Sequence, residues 1–249
     1  MINKVNLINT INKYHLGGLV ESVKWEVKDN KLNVKFTSPT KEMIGEINCN
    51  KFDIQDSSVG ISNTSQLLKL LSTTTGDLLL SYNKSNKVFT KLIISDNQFT
   101  INYALADTLT VPKTGKYTGP NEFNLETELN KEIISALVKA KSALSESETV
   151  VFKSFSSMDG DFQLELIFGG DIEYANKISY YISNFKQTDV PSTFELHFNS
   201  DLLKEILVTN KDASKANMCI NLEGLLKLSF EEENITSEYY IVKKDVHNS

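Results

Sequence analysis

The basic side chains of this 249-residue chain are all lysines, and their chemistry is the first indication of what the protein can do. The sequence has 26 lysines, no arginine and 32 acids, which gives a formal net charge of −6. Arginine is the usual reader of guanine edges and the usual finger in phosphoryl transfer, so its absence disfavours base-specific DNA recognition and arginine-finger catalysis. A lysine ammonium still suits contact with a phosphate backbone without sequence preference.

One group of carboxylates could hold a divalent cation. Asp159, Asp161 and Glu165 are close in sequence and supply the oxygen ligands that a Mg²⁺-dependent hydrolase uses. They lie at a turn between two runs of alternating residues, which favours a plain hairpin with solvated acids. A hydrolase that uses these three acids remains an alternative function.

The other candidate metal ligands are scattered along the chain. His15, His197 and His247 lie far apart in sequence, and neither Cys49 nor Cys219 has metal-ligand spacing. The sequence also lacks a Walker loop, a dinucleotide-binding glycine pattern and a His-Glu-x-x-His motif. We therefore expect no catalytic residues, no metal and no cofactor, and we expect that the protein is not an enzyme.

The composition is typical of a folded globular protein, with 40% hydrophobic and 23% charged residues. The acidic balance argues against a protein that coats nucleic acid with its whole surface. No stretch approaches the roughly 18 consecutive apolar residues of a membrane span, and the first residues do not resemble a signal peptide. We expect a cytoplasmic location.

The same order of elements occurs twice along the chain, which indicates two similar domains. Each half opens with an amphipathic helix, around Leu7–Tyr14 and Leu129–Leu144. Two alternating runs follow, joined by turns at Asp29-Asn30 and Asp159-Gly160. The predicted strands are Val23–Val27, Lys31–Phe36, Leu78–Tyr82, Phe89–Ile94, Gln98–Tyr103, Val150–Phe155, Phe162–Phe168, Met218–Asn221, Leu225–Phe230 and Glu238–Val242. We predict an α+β fold in which each domain has two helices on antiparallel sheets.

A second, shorter helix in each half carries the closest internal similarity. Ser65–Leu71 matches Ser200–Ile206 at an offset of 135 residues, with a pair of leucines and then a lysine in both. Each match begins with a serine, a residue type that accepts hydrogen bonds from the first N–H groups of a helix. We predict that these serines cap the two helices.

The residues between the two halves form a connector. The segment 107–123 contains Pro112 and Pro120 with Gly115 and Gly119 between them, and it shows no sustained helical or strand period. We therefore divide the chain into a first domain at 1–110, an interdomain connector at 111–122 and a second domain at 123–249.

These features together resemble the DNA polymerase sliding clamps, most closely those of T-even-like bacteriophages. The residues that carry the resemblance are the Leu-Leu-Lys helices at Leu67–Lys69 and Leu202–Lys204, the connector, and the last strand Glu238–Lys244, which is similar to that of clamps of the proliferating cell nuclear antigen (PCNA) type. The resemblance implies a viral polymerase accessory protein: a homotrimeric, ring-forming clamp that encircles duplex DNA without sequence preference. It also implies a clamp loader and a DNA polymerase as partners, the polymerase being tethered for processive DNA replication.

A net-acidic ring around DNA needs its lysines on the lining, where they meet phosphates. The candidate DNA-binding residues on or just beyond the predicted helices are Lys13, Lys69, Lys131, Lys139, Lys141, Lys204 and Lys211. On a helical wheel Lys139 and Lys141 each fall about 80° from Lys131, on opposite sides of it. We expect all three to face the hole.

The resemblance also implies how chains and partners meet. Peptides from polymerases and clamp loaders would bind an apolar pocket beneath the connector, for which the matching residues are Leu109, Val111, Tyr117, Ile241 and Val242. Ring closure would pair Gln98–Ala104 of one chain with Glu173–Ile182 of the next. A phage structural or binding protein built from two β-rich repeats shares the composition and stays open as the alternative, but it would not need lysines gathered on helices.

Overall fold

The computed structural model describes residues 1–115, 117–120, 122–156, 162–170 and 175–245. The chain divides into two compact units. The first consists of Met1–Lys116 and Glu233–Ser237, and the second consists of Tyr117–Glu232 and Glu238–Ser249. The division after residue 116 falls inside the predicted connector.

The first unit contains two helices and two antiparallel sheet regions. Its elements are β1 (Ile2–Asn3), α1 (Lys4–His15), β2 (Val23–Lys28), β3 (Lys31–Thr37), β4 (Met43–Cys49), β5 (Ser57–Ile61), α2 (Thr64–Ser72), β6 (Asp77–Ser85), β7 (Val88–Ser95) and β8 (Thr100–Ala104). One sheet has the order β1-β6-β7-β8, and the other strands follow the order β4-β3-β2-β5. The β2–β3 turn has positive φ at Asp29 (52°) and Asn30 (57°), as the hairpin prediction requires.

The second unit repeats this plan. Its elements are β9 (Leu125–Glu128), α3 (Lys131–Ala143), β10 (Thr149–Ser156), β11 (Phe162–Gly169), β12 (Lys177–Ile182), β13 (Lys186–Gln187), β14 (Glu195–Asn199), α4 (Ser200–Thr209), β15 (Lys215–Asn221), β16 (Leu225–Glu232) and β17 (Ile235–Val242). The strand orders are β12-β11-β10-β14 and β13-β9-β15-β16-β17. The predicted α+β fold is therefore confirmed, with two helices on antiparallel sheets in each unit. The predicted turn at 159–160 lies outside the described residues.

An asparagine caps each of the four helices. The side chains of Asn3, Asn63, Asn130 and Asn199 accept hydrogen bonds from N–H groups of the first turn that they precede. The predicted serine caps are wrong, because Ser65 and Ser200 lie inside their helices. A side-chain oxygen must precede the first helical residue to reach these N–H groups, and asparagine occupies that position in both halves.

The caps also change the internal alignment of the second helices from 135 to 136 residues. With that offset Leu67 corresponds to Leu203 and Leu71 to Leu207, and all four leucines are buried. The helix faces that pack against the core are therefore the same in the two units. The sequence match at 135 instead pairs the half-buried Leu68 with the buried Leu203.

Strand β4 is absent from the predicted strands because its alternation is hidden by a glycine. Met43, Gly45, Ile47 and Cys49 all point inward along this strand. A Cβ at Gly45 would lie 2.2 Å from the ring of Phe36 on the neighbouring strand β3. The ring therefore fills the space that a side chain would take, and the inward position does not stand out as hydrophobic in the sequence.

The helices of the described residues are short. None of them has the length and apolar character that a membrane-crossing helix requires.

Candidate functional site

Taken together, the four α-helices of the described residues are basic in a protein that is acidic, although α4 alone has one lysine and two acids. Together they carry seven lysines and three acids, whereas the rest of the chain holds nineteen of the 26 lysines and 29 of the 32 acids. Helices α1 and α2 contain no acid at all. The helices taken together therefore have a net positive charge, whereas the rest of the chain has a net negative charge.

The helices of the first unit lie antiparallel, and polar contacts hold both ends of the pair. At one end the ammonium of Lys4 donates to the carbonyl oxygens of Ser72 (3.4 Å) and Thr74, at the C-terminal end of α2. At the other end His15 Nε2 lies 3.1 Å from the hydroxyl of Ser65 in the first turn of α2. A lysine beside a helix C-terminus also interacts favourably with the helix dipole.

The carboxylate of Glu21 joins this second end of the helix pair. It accepts hydrogen bonds from the backbone N–H of Ser65 (2.9 Å) and from the Ser65 hydroxyl, and its Oε1 lies 3.3 Å from His15 Nε2. Burial raises the pKa of Glu21, but the hydrogen bonds from Ser65 and the contact with His15 together lower it by more, so the net shift is below the usual value. The stabilisation that Glu21 provides is therefore present at neutral pH and is lost as the pH falls through the lowered pKa.

In the second unit an ion pair between a buried lysine and an exposed aspartate takes the equivalent place. The ammonium of Lys141, near the end of α3, lies 3.0 Å from the carboxylate of Asp201 in the first turn of α4 and donates to the Ser145 carbonyl at 2.7 Å. The Lys141 side chain is only 2% exposed. The expectation that Lys141 faces a hole is wrong, since it follows the buried Ile134 and Leu137 along one stripe of the helix.

Lys13 is the second predicted lysine that does not reach the surface. It is 1% exposed, between buried neighbours on both sides of α1. The exposed positions of α1 near its start are instead Val5 and Asn6. The buried residues of α1 include polar ones, among them Thr10 and Lys13. A helical wheel of α1 therefore does not separate a buried apolar face from an exposed polar face.

The other predicted lysines remain accessible. Lys69 on α2 and Lys131 and Lys139 on α3 are exposed, as the predicted faces require. Lys204 on α4 is half-buried, with its Nζ 3.8 Å from the carboxylate of the residue that follows it. Lys211 is exposed two residues beyond the end of α4. The exposed positive charge of the helices therefore comes mainly from Lys69, Lys131 and Lys139.

The first part of the connector lies beside strands β2, β3 and β5 of the first unit. Val111 is buried, and its Cγ2 would lie 3.0 Å from a Cβ at Gly60. It also lines the cleft described below, as predicted for a pocket residue. Leu109 is 79% exposed. A cleft of about 390 Å³ lies between residues 108–114 and the side chains of Lys24, Glu26 and Lys35 on β2 and β3. These side chains face outward because Trp25 and its alternate neighbours face the core.

The second part of the connector is held by an aromatic stack in the second unit. The ring of Tyr117 lies 4.0 Å from that of Tyr240 on β17 at an interplanar angle of 20°, and the Tyr117 hydroxyl donates to the Pro120 carbonyl at 2.6 Å. Burial, and the hydrogen bond that its hydroxyl donates to Glu238, raise the pKa of Tyr240. Tyr117 thus has a partner inside its own unit.

The two remaining predicted pocket residues, Ile241 and Val242, differ in burial although they are adjacent on β17. Ile241 is fully buried, so its predicted place on a pocket surface is wrong, whereas Val242 is 46% exposed. Adjacent residues of a strand point to opposite faces, which is the reason for the difference. Of the five predicted partner residues, Leu109 and Val242 offer exposed apolar surface.

The two segments predicted to close a ring lie at sheet edges. Strand β8 is the last strand of β1-β6-β7-β8, and β12 is the first of β12-β11-β10-β14. Along β12 the ring of Tyr181 is exposed and lies 5.0 Å from the exposed ring of Phe155. Residues 173 and 174 of the predicted segment lie outside the described residues.

The described residues give no support to a metal-dependent site. Within them, no three or more His, Cys, Asp or Glu side chains are placed to hold a metal ion. Glu165 is buried and accepts a hydrogen bond from the Tyr181 hydroxyl at 3.1 Å. Asp159 and Asp161, the other two acids of the hydrolase alternative, lie outside the described part of the chain, as does His247.

Comparison with known proteins finds that the chain is similar to solved structures. No protein-family model and no curated protein matches the chain. PCNA from Entamoeba histolytica is similar with a TM-score of 0.74 at 12% identity, over 98% of this chain and 96% of that one. A. fulgidus PCNA bound to the C-terminal region of FEN-1 has a TM-score of 0.75 at 14% identity, over 99% and 98%. PCNA from Thermococcus kodakaraensis has a TM-score of 0.72 at 12% identity, over 97% of each chain. The chain has the PCNA-type clamp fold.

Lys141 is buried and Lys139 is exposed on the same helix, α3, so substitution of each tests the placement of Lys141. We expect Lys141→Ala to lower the free energy of unfolding by about 2–3 kcal/mol, because it removes a buried aliphatic stem and leaves the Ser145 carbonyl without its donor. Lys139→Ala, on the exposed face of the same helix, should change it by no more than about 0.5 kcal/mol. Urea unfolding followed by circular dichroism measures both, and equal effects would contradict the placement of Lys141.

Proposed function

We propose that this chain, with its PCNA-type clamp fold, is a DNA polymerase processivity factor that encloses duplex DNA and tethers a replicative polymerase to it. The observation that carries the proposal is the segregation of charge. In a protein with a net charge of −6, the helices together carry more lysines than acids, and three of these lysines, Lys69, Lys131 and Lys139, are exposed. This distribution suits a surface that meets phosphates while the rest of the molecule repels them. The protein performs no bond chemistry in this role.

The lysines set the kind of DNA contact. Lys69, Lys131 and Lys139 are point charges on exposed helix faces, and no arginine is present to read base edges. Such contacts are weak, independent of sequence and sensitive to salt. A protein that holds DNA by enclosing it needs no stronger contact, since sliding requires that each contact breaks easily.

Enclosure of DNA requires several chains, and we propose a closed homotrimer. The edge strands β8 and β12 supply the contact, with β8 of one protomer beside β12 of the next. Both carry polar and exposed side chains among their apolar ones, as edge strands that avoid uncontrolled pairing do. The exposed rings of Tyr181 and Phe155 beside β12 give this edge apolar area to bury.

We propose further that a polymerase and a clamp loader bind the outer face through short peptides. In the first unit the exposed Leu109 lines the cleft, and in the second unit the exposed Val242 lies at the end of β17; each offers apolar surface for such a peptide within its own unit. The similar structure from A. fulgidus, bound to the C-terminal region of FEN-1, supports the binding of partner segments as a property of this fold. The resemblance in sequence to clamps of T-even-like bacteriophages supports a phage polymerase as the partner.

The first prediction concerns assembly. At tens of micromolar, light scattering should give three times the chain mass of 28.0 kDa. Tyr181→Asp should shift the protein toward monomer, because it places a charge where strand pairing would bury the side chain. Val88→Asp, at an exposed apolar residue outside both edge strands, is the matched control and should leave the mass unchanged. A wild-type protein that is folded by circular dichroism but strictly monomeric would refute the trimer.

The second prediction concerns DNA. Replacement of Lys69, Lys131 and Lys139 together by Gln should weaken binding to a short duplex and reduce the slope of log K against log salt by about 0.9 for each phosphate that is no longer neutralised. The control replaces Lys28, Lys31 and Lys41, which are equally exposed, so that the net charge changes by the same amount. Fluorescence anisotropy over a salt series measures both. An equal weakening in the control would show that net charge, and not the helix surface, governs binding.

The third prediction concerns the partner. Val242→Asp should abolish capture of the cognate polymerase by the immobilised protein, because a peptide that covered this carboxylate would desolvate it at a cost of several kcal/mol. Leu79→Asp, at an exposed leucine on β6, is the control. Light scattering on both variants checks that assembly is intact. Undiminished capture by Val242→Asp would place the partner site elsewhere.

A further inference from the structure

A two-stranded ribbon extends from one sheet of the first unit. Strands β6 and β7 pair from Leu79–Ser95 out to Ser85–Val88. Strand β8 pairs only with Lys91–Ser95 of β7, and β1 pairs only with the first two residues of β6. In the described part of the chain, residues 84–89 therefore have no third strand on either side. The tip is therefore paired only within the β6–β7 hairpin.

The ribbon is basic. It carries Lys84, Lys87 and Lys91, all exposed, and no acid occurs between residues 78 and 95. None of the three ammonium groups has an ion-pair partner among the described residues. Three such lysines on one short element contrast with the net negative charge of the protein. Solubility does not require them, because a chain with 32 acids is already highly charged.

The turn geometry and the contacts of two aromatic rings order the ribbon. Its two-residue turn has positive φ at Asn86 (51°) and Lys87 (67°), the geometry whose twist matches a β-hairpin. The ammonium of Lys84 lies 4.5 Å from the centroid of the Phe89 ring, and that ring lies 4.8 Å from the ring of Tyr82. A charged element that is ordered before it binds loses less conformational entropy on binding.

We propose that the ribbon Tyr82–Lys91 is a second nucleic-acid contact, which places Lys84, Lys87 and Lys91 against the phosphates of duplex DNA. The major groove of B-DNA admits a two-stranded ribbon, and lysines provide contact with the backbone without reading sequence. Val88 is the exposed large apolar side chain that the tip offers, and one such side chain is too little apolar surface to anchor a peptide. This contact is independent of the helix lysines that carry the proposed function.

The test compares two triple variants with equal change of charge. Lys84→Gln, Lys87→Gln and Lys91→Gln together should weaken binding of a short mixed-sequence duplex about fivefold or more at low salt, and should reduce the salt slope by about 0.9 for each phosphate that these lysines neutralise. The control triple at Lys28, Lys31 and Lys41 should weaken binding by less than about twofold. Equal weakening in the two variants would overturn the proposal.

A second measurement identifies the occupant directly. A photo-crosslinking amino acid at position 88 should crosslink to the duplex, and the crosslink should disappear at high salt. If poly-glutamate competes better than unlabelled duplex for this crosslink, or if no crosslink to DNA forms, the ribbon is not a DNA contact.

The helix variant at Lys69, Lys131 and Lys139 keeps the two ideas separate. Full binding in the ribbon variant together with weakened binding in the helix variant refutes only the ribbon contact. The reverse result refutes only the helix surface.

Discussion

The start of the second helix in each unit is a buried polar junction, and the arrangement of each unit depends on it. The first N–H groups of a helix have no partner inside the helix, so a buried helix start needs acceptors from elsewhere. In the first unit an asparagine caps α2, and the buried Thr64 donates from both its N–H (3.0 Å) and its hydroxyl (2.9 Å) to the carbonyl of Glu21. In the second unit Ser200 donates its hydroxyl to the carbonyl of Ser147 and its N–H to that of Glu148 at 3.2 Å. The segment after the first helix is thereby joined to the start of the second.

This junction decides which lysines can meet another molecule. Once α3 and α4 lie antiparallel, the end of α3 is beside the start of α4, and Lys141 becomes the partner of Asp201. In the first unit the same geometry directs Lys4 to the last carbonyls of α2. The lysines left on exposed helix faces are Lys69, Lys131 and Lys139, and their helices, α2 and α3, together contain one acid, Glu132. One residue type thus has two uses, structural at the helix ends and electrostatic on the exposed faces.

The connector is held in place by close backbone contact and by stacking of aromatic rings rather than by packing between helices. Gly60 lies so close to the Ala106 carbonyl that a Cβ would come within 2.7 Å of it, which lets the connector begin flat on β5. Tyr117 stacks on Tyr240, whose ring also lies 5.4 Å from the ammonium of Lys227. That ammonium pairs with Glu238 at 2.9 Å. Each part of the connector is therefore attached to its own unit.

Periodicity in the sequence alone determined the helices, most long strands and the repeat, and the sequence alone shows that every Lys/Arg position is a lysine. The helices and strands follow from spacing along one element, which the chain encodes locally. Burial of Lys13, Lys141, Val111 and Ile241 depends instead on which other element covers each side chain. Gly45 in β4 is the same case, since only the Phe36 ring across the sheet gives that glycine its inward place. The tertiary structure decides these positions because burial and ion pairing are properties of two surfaces brought together, and a single sequence window describes only one of them.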